Sequence, residues 1–262
     1  MANTNPSITV AAPTRSPRRG GLYSVAEVID EQDASRLAFA GTIEWDSLPC
    51  GFPAFAPGLC FPDAGLDDLD DKAGTAYSFG QGKLAAGYYG VECFLGPNDT
   101  SEQESTNGLI GSEERLLEHA LADELYAMNT PTDPASAASL LEAIAAADSA
   151  ADTAYAGLPV IWMSRANAVR AAAEFALFTD PGSGLMFTAN GTPVISSTLF
   201  DDGYVWFSGA VTVWRTPVHT YLGQDLTLNK ELRIAERVFG IGFDCLQPTA
   251  IQITPPDDGG GA

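Results

Sequence analysis

The clearest hydrophobic rhythm in this chain lies over residues 113–128, where Leu117, Leu121 and Leu125 recur every fourth position. Leu116, Ala120 and Met128 widen that stripe, so the spacing predicts one apolar face on an α-helix. Ser112 stands where an N-cap belongs, and Glu113 and Glu114 occupy the positive end of the helix dipole. A second helix is expected over 135–155, with Leu140, Leu141, Ile144 and Ala147 buried and many alanines that permit close approach. Thr130 to Pro134 separates the two helices, and Gly157 ends the second. Residues 158–163 then read as a buried strand and 166–178 as a third helix.

From Gly184 the rhythm changes to β. Short strands are expected at 185–187, 192–197, 204–207 and 210–215, separated by Asn190-Gly191, Asp201-Asp202-Gly203 and Ser208-Gly209. Residues 232–245 alternate, placing Arg233, Ala235, Arg237, Phe239, Ile241, Phe243 and Cys245 on one face. Ile251 and Ile253 predict a last short strand before an acidic, glycine-rich tail. Upstream, 77–94 is rich in glycine and aromatic residues, as strands with a hairpin would be, and 96–111 reads as a polar loop. Residues 22–60 hold no helical period and must pair elsewhere in the fold or on a neighbour. Helices followed by mixed strands, with no internal repeat, give an α+β class.

Charge changes this picture. The chain of 262 residues has 13 Lys+Arg against 34 Asp+Glu, a formal net charge of −21. Arg15, Arg18 and Arg19 precede the first acid, Glu27, so residues 1–21, rich in Pro, Ser, Thr and Gly, read as a basic flexible arm. Such an acidic balance argues against a nucleic-acid binder, which needs clustered cations. Charged residues are only 18%, below the roughly 25% usual for soluble domains. The surface is therefore either unusually neutral or partly consumed by contacts with other chains. Neither a secretory signal nor a membrane-length apolar run is present, so an intracellularly made, soluble protein is expected.

Candidate chemistry is sparse. Two histidines, His119 and His219, exclude a multi-histidine metal site. Cys50, Cys60, Cys93 and Cys245 lack zinc-ligand spacing and are expected as reduced, buried thiols; in an oxidising setting Cys50 and Cys60 could bridge a loop. The acidic run Asp63, Asp67, Asp68, Asp70 and Asp71 fails the EF-hand spacing and reads as a solvated loop. Pro181-Gly182-Ser183-Gly184 is not a nucleophile elbow, and no phosphate-loop or dinucleotide fingerprint occurs. Trp45, Trp162, Trp206 and Trp214 are expected in core or interfaces rather than on a binding platform. No catalytic, cofactor-binding or metal-binding residue is assigned, and an enzyme is not expected.

Residues 112–129, followed by Leu140-Leu141-Glu142-Ala143-Ile144, resemble the spine helix and next helix of the HK97-like capsid fold of tailed-phage major capsid proteins and encapsulins. Leu222-Gly223-Gln224-Asp225-Leu226, leading through the alternating strand to Phe243, Pro248 and Ala250-Ile251, is similar to that fold's C-terminal part. Thr192-Pro193-Val194 resembles its axial domain, and the likeness covers about 111–254. Gly20-Gly21-Leu22-Tyr23-Ser24-Val25, the 45–50 segment and Tyr88-Tyr89-Gly90-Val91-Glu92-Cys93 look more like actinobacterial-phage structural proteins.

The resemblance implies an N-terminal arm at 1–60 and an extended loop at 61–110. It further implies a peripheral domain at 111–157 and 222–254, an axial domain at 158–221 and a tail at 255–262. It implies a virion protein, made in the host cytoplasm, that tiles an icosahedral shell as hexamers and pentamers around double-stranded DNA without reading sequence. Portal, scaffold or decoration proteins are the possible further partners, and no membrane is involved. An encapsulin-type nanocompartment shell and a minor vertex, decoration or tail protein are the alternatives. Some relatives crosslink a lysine to a neighbour's asparagine; Lys72 or Lys83 would be the positions to examine, Lys230 being the third lysine.

Overall fold

A computed structural model of the chain describes residues 18–31, 43–47, 50, 78–94, 99–128, 135–225 and 230–254. The leucine rhythm forms α2 (Glu113–Met128), preceded by α1 (Asp99–Ile110) and followed by α3 (Leu140–Ala154) and α4 (Arg165–Ala173). Leu117, Leu121 and Leu125 are buried along α2, while His119 is exposed beside Asp123 at 3.6 Å. Ser112 does not cap α2 with its side chain. Its hydroxyl donates to the carbonyls of Gly108 and Leu109, closing the end of α1.

Two sheets share one core with α2. The first has the order β1 (Glu27–Asp30), β10 (Val211–Arg215), β12 (Lys230–Phe243), β3 (Ser78–Phe94), β2 (Ile43–Ser47). β11 (His219–Asp225) joins β12 beside β10. The second runs β4 (Ala135–Ala137), β13 (Thr249–Ile253), β9 (Tyr204–Ser208), β5 (Val160–Ser164), β8 (Pro193–Ser197), β7 (Met186–Thr188), β6 (Leu177–Thr179). β5 is buried on both faces and still obeys the two-residue period. Val160 and Trp162 enter the core shared with α2, Leu22, Val213, Phe239, Ile241 and Phe243, whereas Ile161 and Met163 enter a second core under α3 and α4. In that second core alanines do the packing: Ala143, Ala147, Ala151, Ala168 and Ala171 let both helices lie close on the sheet.

α3 is anchored at its N-terminus and along its length. Ser139 Oγ accepts from the Glu142 N–H at 3.2 Å, a side-chain cap. Asp148 is buried and bonds the β7–β8 turn, accepting from Asn190 Nδ2 at 2.6 Å and contacting the hydroxyls of Thr188 and Thr192.

Several expectations need correction. Residues 99–110 are helical, not loop, because the buried stripe of α1 is Ser101, Ser105 and Leu109, a helical face with almost no hydrophobic signal. Residues 78–94 form one seventeen-residue strand rather than a hairpin. Gly87, which looked like a turn signal, sits in the ladder opposite Arg237, where a Cβ would come within 3.0 Å of the Phe239 ring. The second helix starts only at Leu140, because 135–137 pair with β13. The third ends at Ala173, since Phe175 adopts φ 60° and 177–179 form β6. β11 was not foreseen as a strand; its alternation is short and half-polar.

The thiol expectation is also overturned. Cys50 and Cys245 form a disulfide across 195 positions, with Cα atoms 5.4 Å apart. Cys245 lies two residues past the end of β12, and the Cys50 carbonyl accepts from the Ala156 N–H just beyond α3. The bond thus pins the end of β2 where the two sheets connect. Cys60 and the acidic run at 63–71 lie outside the described residues, as do the side chains of Lys72, Lys83 and Cys93.

Two stability outcomes follow from this packing. Trp162→Ala, which empties the shared core and frees a hydrogen bond to Ser208 Oγ, lowers unfolding free energy by about 3–5 kcal/mol in denaturant titration, whereas His119→Ala leaves it within roughly 0.5 kcal/mol. Reduction, or Cys245→Ser, lowers stability by about 2–5 kcal/mol, read from melts with and without dithiothreitol.

Candidate functional site

Among the described residues, none of those weighed for chemistry is brought into a reaction centre. Ser183 donates its hydroxyl to Asp180 at 2.5 Å inside a turn, where the Ser183 and Gly182 amides also bind that carboxylate. These bonds, the Ser183 hydroxyl's first, hold the Asp180 pKa below the ordinary carboxylate range. His219 is exposed on β11 opposite Glu236, far from any nucleophile pairing. Trp162 and Trp206 are core residues, and Trp45 lies against Trp214 at 5.1 Å on the first sheet. Among the described residues no cluster of three metal-ligating side chains occurs, and no helix is long and apolar enough to cross a membrane.

What α2 builds with its first turns is a clamp for the N-terminal segment. Glu113 is buried, and its two oxygens accept from Arg215 Nη1 at 2.7 Å and Arg237 Nη1 at 2.8 Å. Arg215 Nε also donates to Asp30 Oδ1 at 2.6 Å. One carboxylate therefore ties β1, β10 and β12 to the start of α2. The hydrogen bond from Arg215 holds the Asp30 pKa low, while Asp30 in turn raises that of Arg215. Burial, then Glu113, pushes Tyr23 up. The next residue, Glu114, accepts from the Tyr23 N–H at 3.0 Å, and one turn on Glu118 pairs with Arg18 and accepts from Ser197 Oγ at 2.8 Å. Burial foremost, opposed by the Tyr23 amide, raises the Glu114 pKa. No sequence signal links these partners, which lie about a hundred positions apart.

The remaining chemistry of the surface is apolar exposure. Among the described residues, exposed large apolar side chains include Leu158, Ile110 and those of two further regions. Past α4, Phe175 is 79% exposed at a positive φ that a non-glycine residue adopts only at a cost. The second region is the three-stranded ribbon β11–β12–β3. Its register aligns His219–Glu236–Tyr88, Tyr221–Ile234–Gly90 and Gly223–Leu232–Glu92 across one face. Alternation puts Thr220 and Tyr89 on the opposite face, which α1 covers: Thr220 Oγ1 donates to Glu102 at 2.9 Å, and the Tyr89 ring leaves no room for a Cβ at Gly108.

No protein-family model matches the chain, and no curated protein sequence does. Solved structures do. It is similar to the capsid protein of native gene-transfer-agent (GTA) particles, at a TM-score of 0.53 and 11% identity over 96% of each chain. The mature capsid of bacteriophage PhiM1 matches at a TM-score of 0.50 and 10% identity over 95% of this chain and 92% of that one. The capsid of Ralstonia phage GP4 matches at 0.50 and 10% over 100% and 99%. The chain thus has the α+β, HK97-like fold of phage capsid subunits.

The clamp's pH response has a definite sign. Asp30, lowered in the folded state, stabilises above its ordinary value of 3.8, and that contribution is lost as pH falls below it. Glu114, raised, works oppositely: stability falls as pH rises from its ordinary 4.5 through the raised value. Urea titrations between pH 2.5 and 6 are expected to show a shallower acid-side loss in Asp30→Asn and a flattened slope just above pH 4.5 in Glu114→Gln.

Proposed function

We propose that this chain is the major capsid protein of a tailed phage, a structural rather than catalytic protein that self-assembles into an icosahedral head around double-stranded DNA. The observation that carries the reading is the end-to-end likeness of fold to capsid subunits of PhiM1, GP4 and GTA particles. In this reading α2 is the spine helix, residues 1–60 the arm and 61–110 the extended loop. Residues 111–157 with 222–254 form the peripheral domain, and 158–221 the axial domain. The match to shell subunits favours this role over a nanocompartment wall or a minor vertex, decoration or tail component.

The charge of −21 suits a container. An acidic inner wall lets DNA slide instead of adhering, and the basic residues before Glu27 are the exception that could meet genome or scaffold. Electron microscopy of the purified protein tests the proposal: closed shells with five-fold vertices are the expected result. A discrete monomer or small oligomer at every concentration and salt condition would contradict it.

A further inference from the structure

We infer that the Cys50–Cys245 bond is a redox latch, opened by a small thiol and closed by a small disulfide while both cores stay folded. The inference stands apart from the shell reading and concerns how the chain leaving β2 is fastened. Its first ground is position. Both cysteines are half-buried, and neither belongs to either hydrophobic core. Partly exposed disulfides are the ones that small thiols reach and exchange with.

The second ground is that the two halves are held unequally. Cys245 sits at φ 24° in a tight turn whose shape comes from its neighbours. The Leu246 N–H donates to the Asp244 carbonyl, and the Asp244 N–H donates to the Ala210 carbonyl at 2.8 Å. The Gly209 N–H donates to the Leu246 carbonyl at 2.9 Å, and the Tyr155 hydroxyl donates to Asp244 Oδ2 at 2.8 Å. A Cβ on Gly209 would run into the Asp244 carbonyl, so this corner has no slack. Cys50, by contrast, has one tie besides sulfur among the described residues, the Ala156 N–H at 3.0 Å. Nor does β2 need the latch. Its ladder with β3 runs from Ile43 to Ser47, and the Ile43 and Trp45 side chains fill the space over Gly240 and Gly242. Opening the bond therefore frees Cys50 and leaves the sheets and the Asp244 corner in place. Cys245 stays where it can be found again, which makes closure reversible.

Closure also needs the fold. The sulfurs stand 195 positions apart and meet only once the sheets have closed, so the thiols come first and the bond follows. The oxidant is a low-molecular-weight disulfide of the glutathione class. The Cys50 thiolate attacks one of its sulfurs and expels a first small thiolate. The Cys245 thiolate then attacks the Cys50 sulfur of that mixed disulfide, forms the protein bond and expels the second. The two protein thiols give up two electrons and two protons, and the small disulfide leaves as two thiols. Opening is the reverse.

The test uses the full chain, without denaturant, in buffers of varied ratio of reduced to oxidised glutathione. Alkylation and mass spectrometry read the bond, and amide exchange is followed in parallel. The bond is expected to open and close reversibly with circular dichroism unchanged. On opening, the Ala156 amide is expected to exchange about tenfold faster or more, while the amides of Ile161 and Val205 remain protected. Cys50→Ser and Cys245→Ser are expected to reproduce the opened pattern, and Cys60→Ser to leave the titration as in the parent. If a serine variant fails to fold, the glutathione series on the unmodified chain decides alone. A bond that yields only when the chain unfolds is a structural staple and would overturn the inference. Unchanged exchange at Ala156, or Cys50 found joined to Cys60, would overturn it too. Each of these results leaves the shell reading where electron microscopy puts it.

Discussion

A carboxylate withdrawn from water must be neutralised where it stands, and Glu113 shows how much of this fold follows from that requirement. An unpaired buried charge costs several kcal/mol, about 3–5 when one partner is removed, so Glu113 keeps Arg215 and Arg237 in place at the mouth of α2. The two arginines belong to neighbouring strands, β10 and β12, and Arg215 brings β1 with it through Asp30. The start of α2, three strands and the polypeptide entering from the N-terminal side are thereby indexed to one point. A hydrophobic contact could supply as much energy, but it would not fix the angle between helix and sheet. Directional, bidentate pairing does.

Around that point the fold separates two kinds of packing. Between the sheets the side chains are large, with Trp162, Trp206, Phe200 and Phe243 meeting mostly edge to face or tilted. Under α3 and α4, and between α1 and the ribbon, they are small. The thick core sets the separation of the sheets.

The sequence made some of this legible and concealed the rest for physical reasons. Leu117, Leu121 and Leu125 announced α2 because burial there is apolar and periodic, and the alternation through Arg237, Phe239, Ile241 and Phe243 announced β12 and its inward face. α1 escaped because serines and a glycine fill its contact face, and β3 was broken in two by glycines that serve close packing rather than turns. The clamp was half visible. Glu113 and Glu114 look like ordinary dipole-compensating residues, and nothing local reveals that one binds arginines more than a hundred positions away while the other binds the Tyr23 amide. The disulfide was hidden for the same reason, since its partners share no neighbourhood until the sheets close. Likewise the ribbon's open face exists only once β11 lies beside β12, so no single stretch of sequence displays it.

The bond between Cys50 and Cys245 turns three quarters of the polypeptide into a ring. A single peptide cleavage anywhere within that ring linearises it without releasing a fragment, because both products stay joined through sulfur. Backbone nicking and loss of mass are thus uncoupled: a molecule nicked within the ring migrates as two pieces only after reduction.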